Sequence, residues 1–207
     1  MKKVYDVHYF EGFIGVYKGG YGSRESYIKK VTRDILHKFR LDNGRGLKAL
    51  DIGCAYGYAV EVLLQFGYDA YGCDTSQYAV NKANKIHNWK EVCFTIDICK
   101  EALVDKYDLI TMFNTLEHLY DVEIALLNIK KALSEKGTLL VQTVNPLNPF
   151  ILLDRDPTHI NVHPPVYWKK MFSKYFSYVI IRNYQYLHGK LLVPFPLFGS
   201  LTIIMAK

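Results

Sequence analysis

A short glycine-containing turn carries the residues of this chain that are best placed for chemistry. An apolar stretch predicts a buried strand that ends in Asp51, and the turn Gly53–Gly57 follows directly. A turn with few β-carbons lets the backbone approach a ligand closely. A dinucleotide fingerprint would need glycines at 53, 55 and 58, where this chain has Gly53, Ala55 and Tyr58. The spacing therefore disfavours a pyrophosphate-binding turn.

Two further acids follow the next two predicted strands. Asp74 ends the second strand, 21 residues after Gly53, and in Rossmann-like folds an acid at this separation accepts hydrogen bonds from ribose hydroxyls. The third strand ends in Asp97 and Ile98, and such a pair suits an adenine amino group and an adenine ring. Each acid alone could be a solvated strand end or a helix cap. Three acids after three successive strands favour a cofactor site.

The surrounding pattern predicts the elements that position these residues. A helix is expected from Ser23, as its N-cap, to about Arg40. Strands and helices then alternate to residue 144, which predicts a parallel sheet. The later predicted elements are a fourth strand at 107–113, a helix at 121–133, a turn at Gly137 into a fifth strand at 138–144, a helix from 164 to 175, and β-like runs at 178–186 and 199–206.

Length and charge limit the interpretation further. A chain of 207 residues, half of them apolar, can bury one sizeable core. Its net charge of +6 is uneven, because residues 1–40 and 157–207 are basic whereas residues 41–156 are acidic. Basic ends favour an anionic partner such as phosphate, nucleic acid or a lipid headgroup. Ordinary solvated lysines are the alternative explanation.

The cysteines and the apolar stretches point to a cytoplasmic protein. The four cysteines, at positions 54, 73, 93 and 99, form no C-x-x-C pair and no zinc-type spacing. We therefore expect reduced, buried thiols. The N-terminus lacks the apolar run of a signal peptide. The longest uncharged stretch, at 191–206, is too short and too interrupted by proline to span a bilayer.

Three stretches carry a resemblance to a known family. They are Leu50–Gly57, Tyr107–Ile110 together with Leu116–His118, and Lys136-Gly137 before a strand. Over roughly residues 40–207 the chain resembles class I S-adenosylmethionine (SAM) dependent methyltransferases of the small-molecule "type 11/type 23" group. The resemblance implies a Rossmann-like α/β sheet of seven strands, the last antiparallel, with helices on both faces. Residues 1–40 would be an N-terminal extension and helix that form part of a lid, and residues 41–207 the methyltransferase domain.

The resemblance also implies how SAM would be held. Asp51 and the turn would hold the methionine end, Asp74 the ribose, and Asp97 with Ile98 the adenine. Ala55 replaces the usual second glycine, and its methyl group is tolerable if φ stays negative. The full set of expected cofactor-binding residues is Asp51, Gly53, Cys54, Ala55, Gly57, Asp74, Thr75, Asp97, Ile98, Asn114 and Tyr21. Tyr17 is a further candidate for closing over the cofactor beside Tyr21.

Two histidines are candidates for the catalytic base. Methyl transfer is mainly a positioning problem, and a base is needed only if the acceptor keeps its proton. His118 follows the fourth strand, and His159 follows a proline-rich segment where a substrate lid would lie. The alternatives are a structural histidine bonded to backbone and a polar turn. Glu117-His118 is similar to the E-x-x-E-H pattern of metal-assisted relatives, but Asn114 occupies its first position, so no metal is expected.

The predicted function is methyl transfer from SAM to an oxygen or nitrogen atom of a small molecule. The basic ends keep an RNA methyltransferase as an alternative, although no added RNA-binding domain and no Asn/Asp-Pro-Pro-Tyr/Phe motif is present. A non-catalytic SAM-binding or scaffold protein is a second alternative. The sequence leaves the acceptor and the oligomeric state open.

Overall fold

A computed structural model describes residues 5–12, 19–149, 156–187, 190–195 and 197–207. The chain divides into two compact units, residues 1–97 and residues 98–207. Strands and helices alternate from residue 48 to residue 95, as the sequence pattern predicts, but no helix separates the described strands at 93–95 and 107–113. Within the described ranges, no helix combines the length and the apolar character that crossing a bilayer requires.

The first unit contains a parallel three-stranded arrangement. Strand β2 pairs in parallel with both β1 and β3. Four of the five residues of β1 are buried, as is typical of parallel strands that are covered on both faces. The described elements of this unit are α1 (Val7–Phe10), α2 (Glu25–Lys38), β1 (Lys48–Ile52), α3 (Tyr58–Gln65), β2 (Asp69–Asp74), α4 (Gln77–Ile86) and β3 (Cys93–Thr95).

Helix α2 begins later than the sequence predicts. A 3-10 turn, Tyr21–Arg24, precedes it, and Arg24 stands at the N-cap position. The hydroxyl of Ser23, the predicted cap, instead donates to the carbonyl oxygen of Gly20 at 2.7 Å. Val31, Ile35 and Leu36 lie on the buried face of this helix. The serine therefore closes the 3-10 turn and does not cap the helix.

The second unit contains a mixed five-stranded arrangement. Its described elements are β4 (Tyr107–Phe113), the 3-10 segment Leu116–His118, α5 (Val122–Ala132), β5 (Leu133–Val144), α6 (Pro165–Phe172), β6 (Val179–Leu187), β7 (Leu191–Pro194) and β8 (Leu201–Ala206). Strand β5 is parallel to β4. Strand β8 lies between β5 and β6 and is antiparallel to both, while β7 pairs with the other side of β6. The expected antiparallel last strand is thus confirmed.

Two details of the prediction are wrong. The described residues form eight strands rather than seven, because the short run β7 folds back on β6 as a hairpin. Strand β5 also begins at Leu133 rather than at residue 138, and its pairing with β4 shifts register between Leu133 and Thr138, so the turn expected at Gly137 is an irregularity within the strand. A β-carbon at Gly137 would lie 2.9 Å from the carbonyl oxygen of Tyr107, so this glycine permits the close approach of β5 to β4.

Candidate functional site

The turn after β1 is fixed to the end of β2 by its own backbone. The amides of Gly53 and Cys54 both donate to the carbonyl oxygen of Cys73, at 2.7 and 3.0 Å. Gly53 has a φ of +75° and Gly57 a φ of +77°, a left-handed conformation that suits glycine. These contacts and angles define the shape of the turn before any ligand binds.

Ala55, at the centre of the turn, is also left-handed. Its φ is +47°, so the condition of a negative φ, under which its methyl group was judged tolerable, is not met. A non-glycine residue pays about 1–2 kcal/mol for this conformation. The amide of Ala55 donates to Oδ2 of Asp74 at 2.9 Å, and this buried hydrogen bond helps to hold the strained angle.

Asp74 is the carboxylate around which the turn is organised. It is buried, and its Oδ1 accepts from the amide of Ser76 at 2.8 Å while Oδ2 accepts from Ala55. Burial raises the pKa of Asp74, and the backbone hydrogen bonds of Ser76 and Ala55 oppose this shift. A carboxylate has about four acceptor sites, so the group keeps capacity for a further donor such as a ribose hydroxyl. The residues present therefore fit a nucleoside-containing cofactor.

The other predicted residues of the first unit differ in exposure. Asp51 is buried near the end of β1, Thr75 is exposed, and Asp97 is partly exposed. Cys54 is buried, and its hydrogen bond with Cys93 together with burial raises the pKa of its thiol well above the usual value. All four cysteines are buried thiols that form no disulfide, as the sequence predicts. Thiols buried in apolar surroundings are weakly reactive.

Gly57 is required by packing as well as by its backbone angle. A β-carbon at this position would lie 2.7 Å from the ring of Trp89. The Trp89 ring stacks on His87 with centroids 4.2 Å apart, and His87 Nε2 lies 3.0 Å from the carbonyl oxygen of Tyr56. An aromatic pair thus supports the turn from the α4–β3 connection.

Tyr21 lies against the aromatic residues that flank the turn. Its ring is 5.1 Å from that of Tyr56 in an edge-on arrangement, and it is parallel to that of Tyr58 at 6.0 Å. The structure therefore brings Tyr21 to the turn, as a cofactor lid would require. Tyr17 lies outside the described residues.

A cluster around Glu11 joins the N-terminal segment to the turn, and sequence reasoning missed it. Glu11 Oε1 accepts from the hydroxyls of Tyr56 and Tyr78, at 2.9 and 2.5 Å, and from Nζ of Lys82 at 3.2 Å. These bonds, from Tyr78 first, hold the pKa of Glu11 below its usual value. Phe10 stacks on Tyr56 beside this cluster. The partners lie 45 to 71 residues from Glu11, so no local pattern could reveal the cluster.

In the second unit, the structure brings the two predicted catalytic histidines together. The ring centroids of His118 and His159 are 4.7 Å apart, with the rings edge-on. His159 Nε2 lies 3.8 Å from Oδ2 of Asp156. Burial acts to raise the pKa of Asp156, but hydrogen bonds from the hydroxyl and amide of Thr158 outweigh it and hold this pKa below its usual value.

Glu117 stands beside the two histidines. It is fully buried, and its Oε2 accepts from the hydroxyl of Thr143 at 2.8 Å. One donor atom from each of Glu117, His118 and His159 can be chosen so that all three lie within 4.8 Å of one another. Such a set has the chemistry of a cation site. Sequence reasoning considered Glu117 and His118 together with position 114 and did not anticipate His159 as the third group. The expectation of no metal stays a prediction.

Asn114 and Ile98 complete the predicted set. Asn114 is exposed with a φ of +49°, and its Oδ1 accepts from Nε2 of Gln142 at 2.7 Å. Ile98 is buried, and its carbonyl oxygen accepts from Nδ2 of Asn128 at 2.9 Å. Both positions are thus fixed by side-chain amides of neighbouring elements.

The parallel strands, the glycine turn and the acid at the end of β2 define the class I SAM-dependent methyltransferase fold. The resemblance that the sequence indicates is thus confirmed. Residues 24–175 match the family model described as a methyltransferase domain. This chain therefore belongs to that family. A SAM-dependent methyltransferase structure from Thermotoga maritima, described as a "possible histamine N-methyltransferase", has a TM-score of 0.71 and 17% identity and covers 97% of this chain and 98% of its own. At that identity it shows the fold alone.

Curated relatives match part of the chain. A ubiquinone biosynthesis O-methyltransferase from Bartonella tribocorum is 32% identical over 128 residues, which are 59% of this chain and 50% of the relative. A malonyl-[acyl-carrier protein] O-methyltransferase from Bacillus cytotoxicus is 30% identical over 120 residues, or 56% of this chain and 42% of the relative. The matched residues thus span about half the length of these curated relatives.

Proposed function

We propose that this chain transfers the methyl group of SAM to an oxygen or nitrogen atom of a small-molecule acceptor. The observation that carries the proposal is Asp74, a buried carboxylate that orders the glycine turn through Ala55 and keeps acceptor capacity for ribose hydroxyls. Membership of the methyltransferase-domain family supports it. The two curated relatives are both named O-methyltransferases, which favours oxygen as the acceptor atom.

Within this proposal, the cofactor-binding residues predicted from the sequence hold SAM. Asp51 and the turn bind the methionine end, Asp74 binds the ribose, and Asp97 with Ile98 binds the adenine. The remaining contacts of the set come from Cys54, Thr75, Asn114 and Tyr21. Residues 1–40 act as part of the lid, and the packing of Tyr21 against the turn supports this role.

The chemistry divides between positioning and proton removal. SAM would supply an electrophilic methyl group, and its sulfonium sulfur would be the leaving group that keeps the bonding electron pair. His118 accepts the proton of an O–H or N–H acceptor, so that the acceptor lone pair can attack the methyl carbon. Holding the reactants in line supplies the larger part of the rate enhancement. An anionic acceptor and a cytoplasmic location are further parts of the proposal, based on the basic ends and the free thiols.

Ligand-dependent stabilisation tests the cofactor assignment. SAM or its demethylated product, at one hundred times its dissociation constant, should raise the free energy of unfolding by about 2.7 kcal/mol. NAD at the same concentration should have no effect, because the turn lacks the dinucleotide spacing. Stabilisation by NAD but not by SAM would overturn the assignment.

Transfer of a labelled methyl group then separates an enzyme from a non-catalytic SAM-binding protein. The acceptors should include hydroxyl, carboxyl and amine compounds, together with bulk RNA. We expect label on a small molecule. Label on RNA would favour the alternative class, and SAM binding without transfer to any acceptor would favour a scaffold.

A further inference from the structure

Residues 156–161 form a segment that is attached to the 3-10 turn after β4. The amides of Ile160 and Asn161 both donate to the carbonyl oxygen of Glu117, at 2.9 Å. The side-chain amide of Asn161 also donates to the carbonyl oxygen of Leu119. Because these bonds fix the backbone of the 3-10 turn against the backbone of residues 156–161, the side chains between them have little freedom. His118 and Thr158 face each other within this fixed frame.

A chain of hydrogen bonds runs from Asp156 through Thr158 to His118. Oδ1 of Asp156 accepts from the amide of Thr158 at 2.9 Å and from its hydroxyl at 2.5 Å. A hydroxyl has one hydrogen, so Thr158 Oγ1 can then only accept from its other neighbour. That neighbour is Nδ1 of His118, 2.9 Å away.

Nδ1 of His118 must therefore carry a hydrogen and donate it to Thr158 Oγ1. A second neighbour of Nδ1 requires the same protonation. The carbonyl oxygen of Thr158 lies 3.2 Å from Nδ1, and a carbonyl only accepts. A lone pair on Nδ1 would face two oxygen lone pairs, whereas an Nδ1–H satisfies either oxygen. In the neutral ring the lone pair must then be on Nε2. Glu117, Asp156 and His159 are the titratable groups that surround this ring.

We propose that Thr158 and Asp156 are positioning residues that fix His118 as its Nδ1–H tautomer and so place the basic lone pair on Nε2. The inference rests on the proposed function for its catalytic meaning. The acceptor proton moves to Nε2 as the acceptor–carbon bond forms, and the ring becomes an imidazolium that still donates Nδ1–H to Thr158. The Asp156 carboxylate, one hydrogen bond further along, stabilises that positive charge.

The tautomer can be measured without substrate, so this test is independent of the proposed function. Ring nitrogens of ¹⁵N-histidine-labelled protein distinguish the two neutral tautomers, and His118→Ala identifies the signals of His118. We expect an Nδ1–H ring in the wild type and in Thr158→Ser, which keeps the hydroxyl. Thr158→Val, which is nearly isosteric but lacks the hydroxyl, should show a larger Nε2–H fraction than the wild type, because only the backbone carbonyl then accepts from Nδ1–H. An Nε2–H ring in the wild type would overturn the proposal.

Turnover provides the second test, once an acceptor is known. Thr158→Val should lower kcat by about 10- to 100-fold, less than the ~10⁴-fold loss for a wrong tautomer in a catalytic triad, because the Thr158 carbonyl still accepts from Nδ1. KM and the affinity for SAM should change less than twofold. Thr158→Ser should recover most of the rate, and Asp156→Asn should resemble Thr158→Val. A thermal melt of each variant excludes loss of the fold.

A double variant shows whether Thr158 acts through His118. If it does, His118→Ala/Thr158→Val should be no slower than His118→Ala alone. A further tenfold loss in the double variant would mean that Thr158 acts by another route and would contradict the positioning role. If His118→Ala itself keeps full turnover, the assignment of His118 as the base is wrong. The tautomer of His118 is tested independently, because NMR measures it without turnover.

Discussion

The glycine turn of the first unit and the histidine cluster of the second are stabilised in opposite ways. In the turn, backbone amides and left-handed angles set the shape, and one carboxylate, Asp74, takes part. In the cluster, side chains that lie 40 residues apart in the sequence form hydrogen bonds with each other, and these bonds depend on single side-chain atoms such as Thr158 Oγ1. The turn should therefore respond to changes of backbone conformation, and the cluster to the loss of individual side-chain atoms.

The largest expected effect separates catalysis from cofactor binding. His118→Ala should lower turnover by about 10²–10⁴-fold, the usual contribution of a general base, while SAM affinity stays constant. Turnover with labelled SAM and calorimetry measure the two quantities. His37→Ala, an exposed histidine of the first unit, is the control. If His118→Ala turns over normally, the acceptor needs no base and the enzyme works by positioning alone.

Glycine substitutions test the backbone side of the comparison. Gly57→Ala should lower the free energy of unfolding by about 2–4 kcal/mol, because it adds a clash with Trp89 to the strain of a φ of +77°. Gly46→Ala has the same kind of angle, φ +79°, but nothing lies within 4 Å of its new β-carbon. It should cost only about 1–2 kcal/mol. Equal losses in urea unfolding would show that Trp89 does not constrain the turn.

Asp74 is the point at which the turn depends on a side chain. Asp74→Ala should weaken SAM binding by about 2–3 kcal/mol through the loss of charge-assisted hydrogen bonds. Turnover at saturating SAM should change far less than in His118→Ala. Asp69→Ala removes an exposed acid from the same strand and is the matched control for calorimetry. Unchanged SAM affinity in Asp74→Ala would mean that Asp74 does not bind the ribose and only ends the strand.

Ala55 should yield a gain in stability. Ala55→Gly removes the strain of a left-handed alanine and, after the added entropy of the unfolded chain, should stabilise the protein by about 0.5–1 kcal/mol. Ala49→Gly, inside β1, should destabilise it by about the same amount. Thermal unfolding of the pair measures both changes. A loss of stability in Ala55→Gly would mean that its methyl contacts outweigh the strain.

The smallest effect concerns the N-terminal attachment to the turn. The pKa of Glu11 is lower in the folded protein than in the unfolded chain, because Tyr78, Tyr56 and Lys82 donate to its carboxylate. Its contribution to stability is therefore present above the unfolded pKa and is lost as the pH falls through the folded pKa. The protection of residues 5–12 against hydrogen exchange, taken relative to the intrinsic rate at each pH, should fall in that acidic range, and Glu11→Gln should abolish this fall. Protection of the wild type that stays constant with pH would contradict a stabilising role of the Glu11 carboxylate.

The parts of the molecule that could be predicted from sequence are those set by nearby residues. The strand ends near Asp51 and Asp74 follow from apolar runs. The places of His118 and His159 after strands make each a candidate base, whereas the contact between their rings was not predicted. The φ of Ala55 could not be predicted, because a hydrogen bond to a residue 19 positions away helps to hold it. The partners of Glu11 lie still further along the chain. The contact of Thr158 with His118 could not be predicted, since it joins residues 40 positions apart and depends on which neighbour takes the hydroxyl hydrogen.

Because Trp89 packs against the turn, the intrinsic tryptophan fluorescence of the protein can report on the turn. The protein has two tryptophans, and each compact unit contains one. Trp89 is partly exposed and stacked on His87, whereas Trp168 is fully buried beside Phe172. Indole emission depends on polarity and on nearby quenching groups, so the two should differ in wavelength and intensity. Trp168→Phe would leave the fluorescence of Trp89, which should respond to SAM binding at the turn. Trp89→Phe would leave the fluorescence of Trp168, which should respond to melting of the second unit.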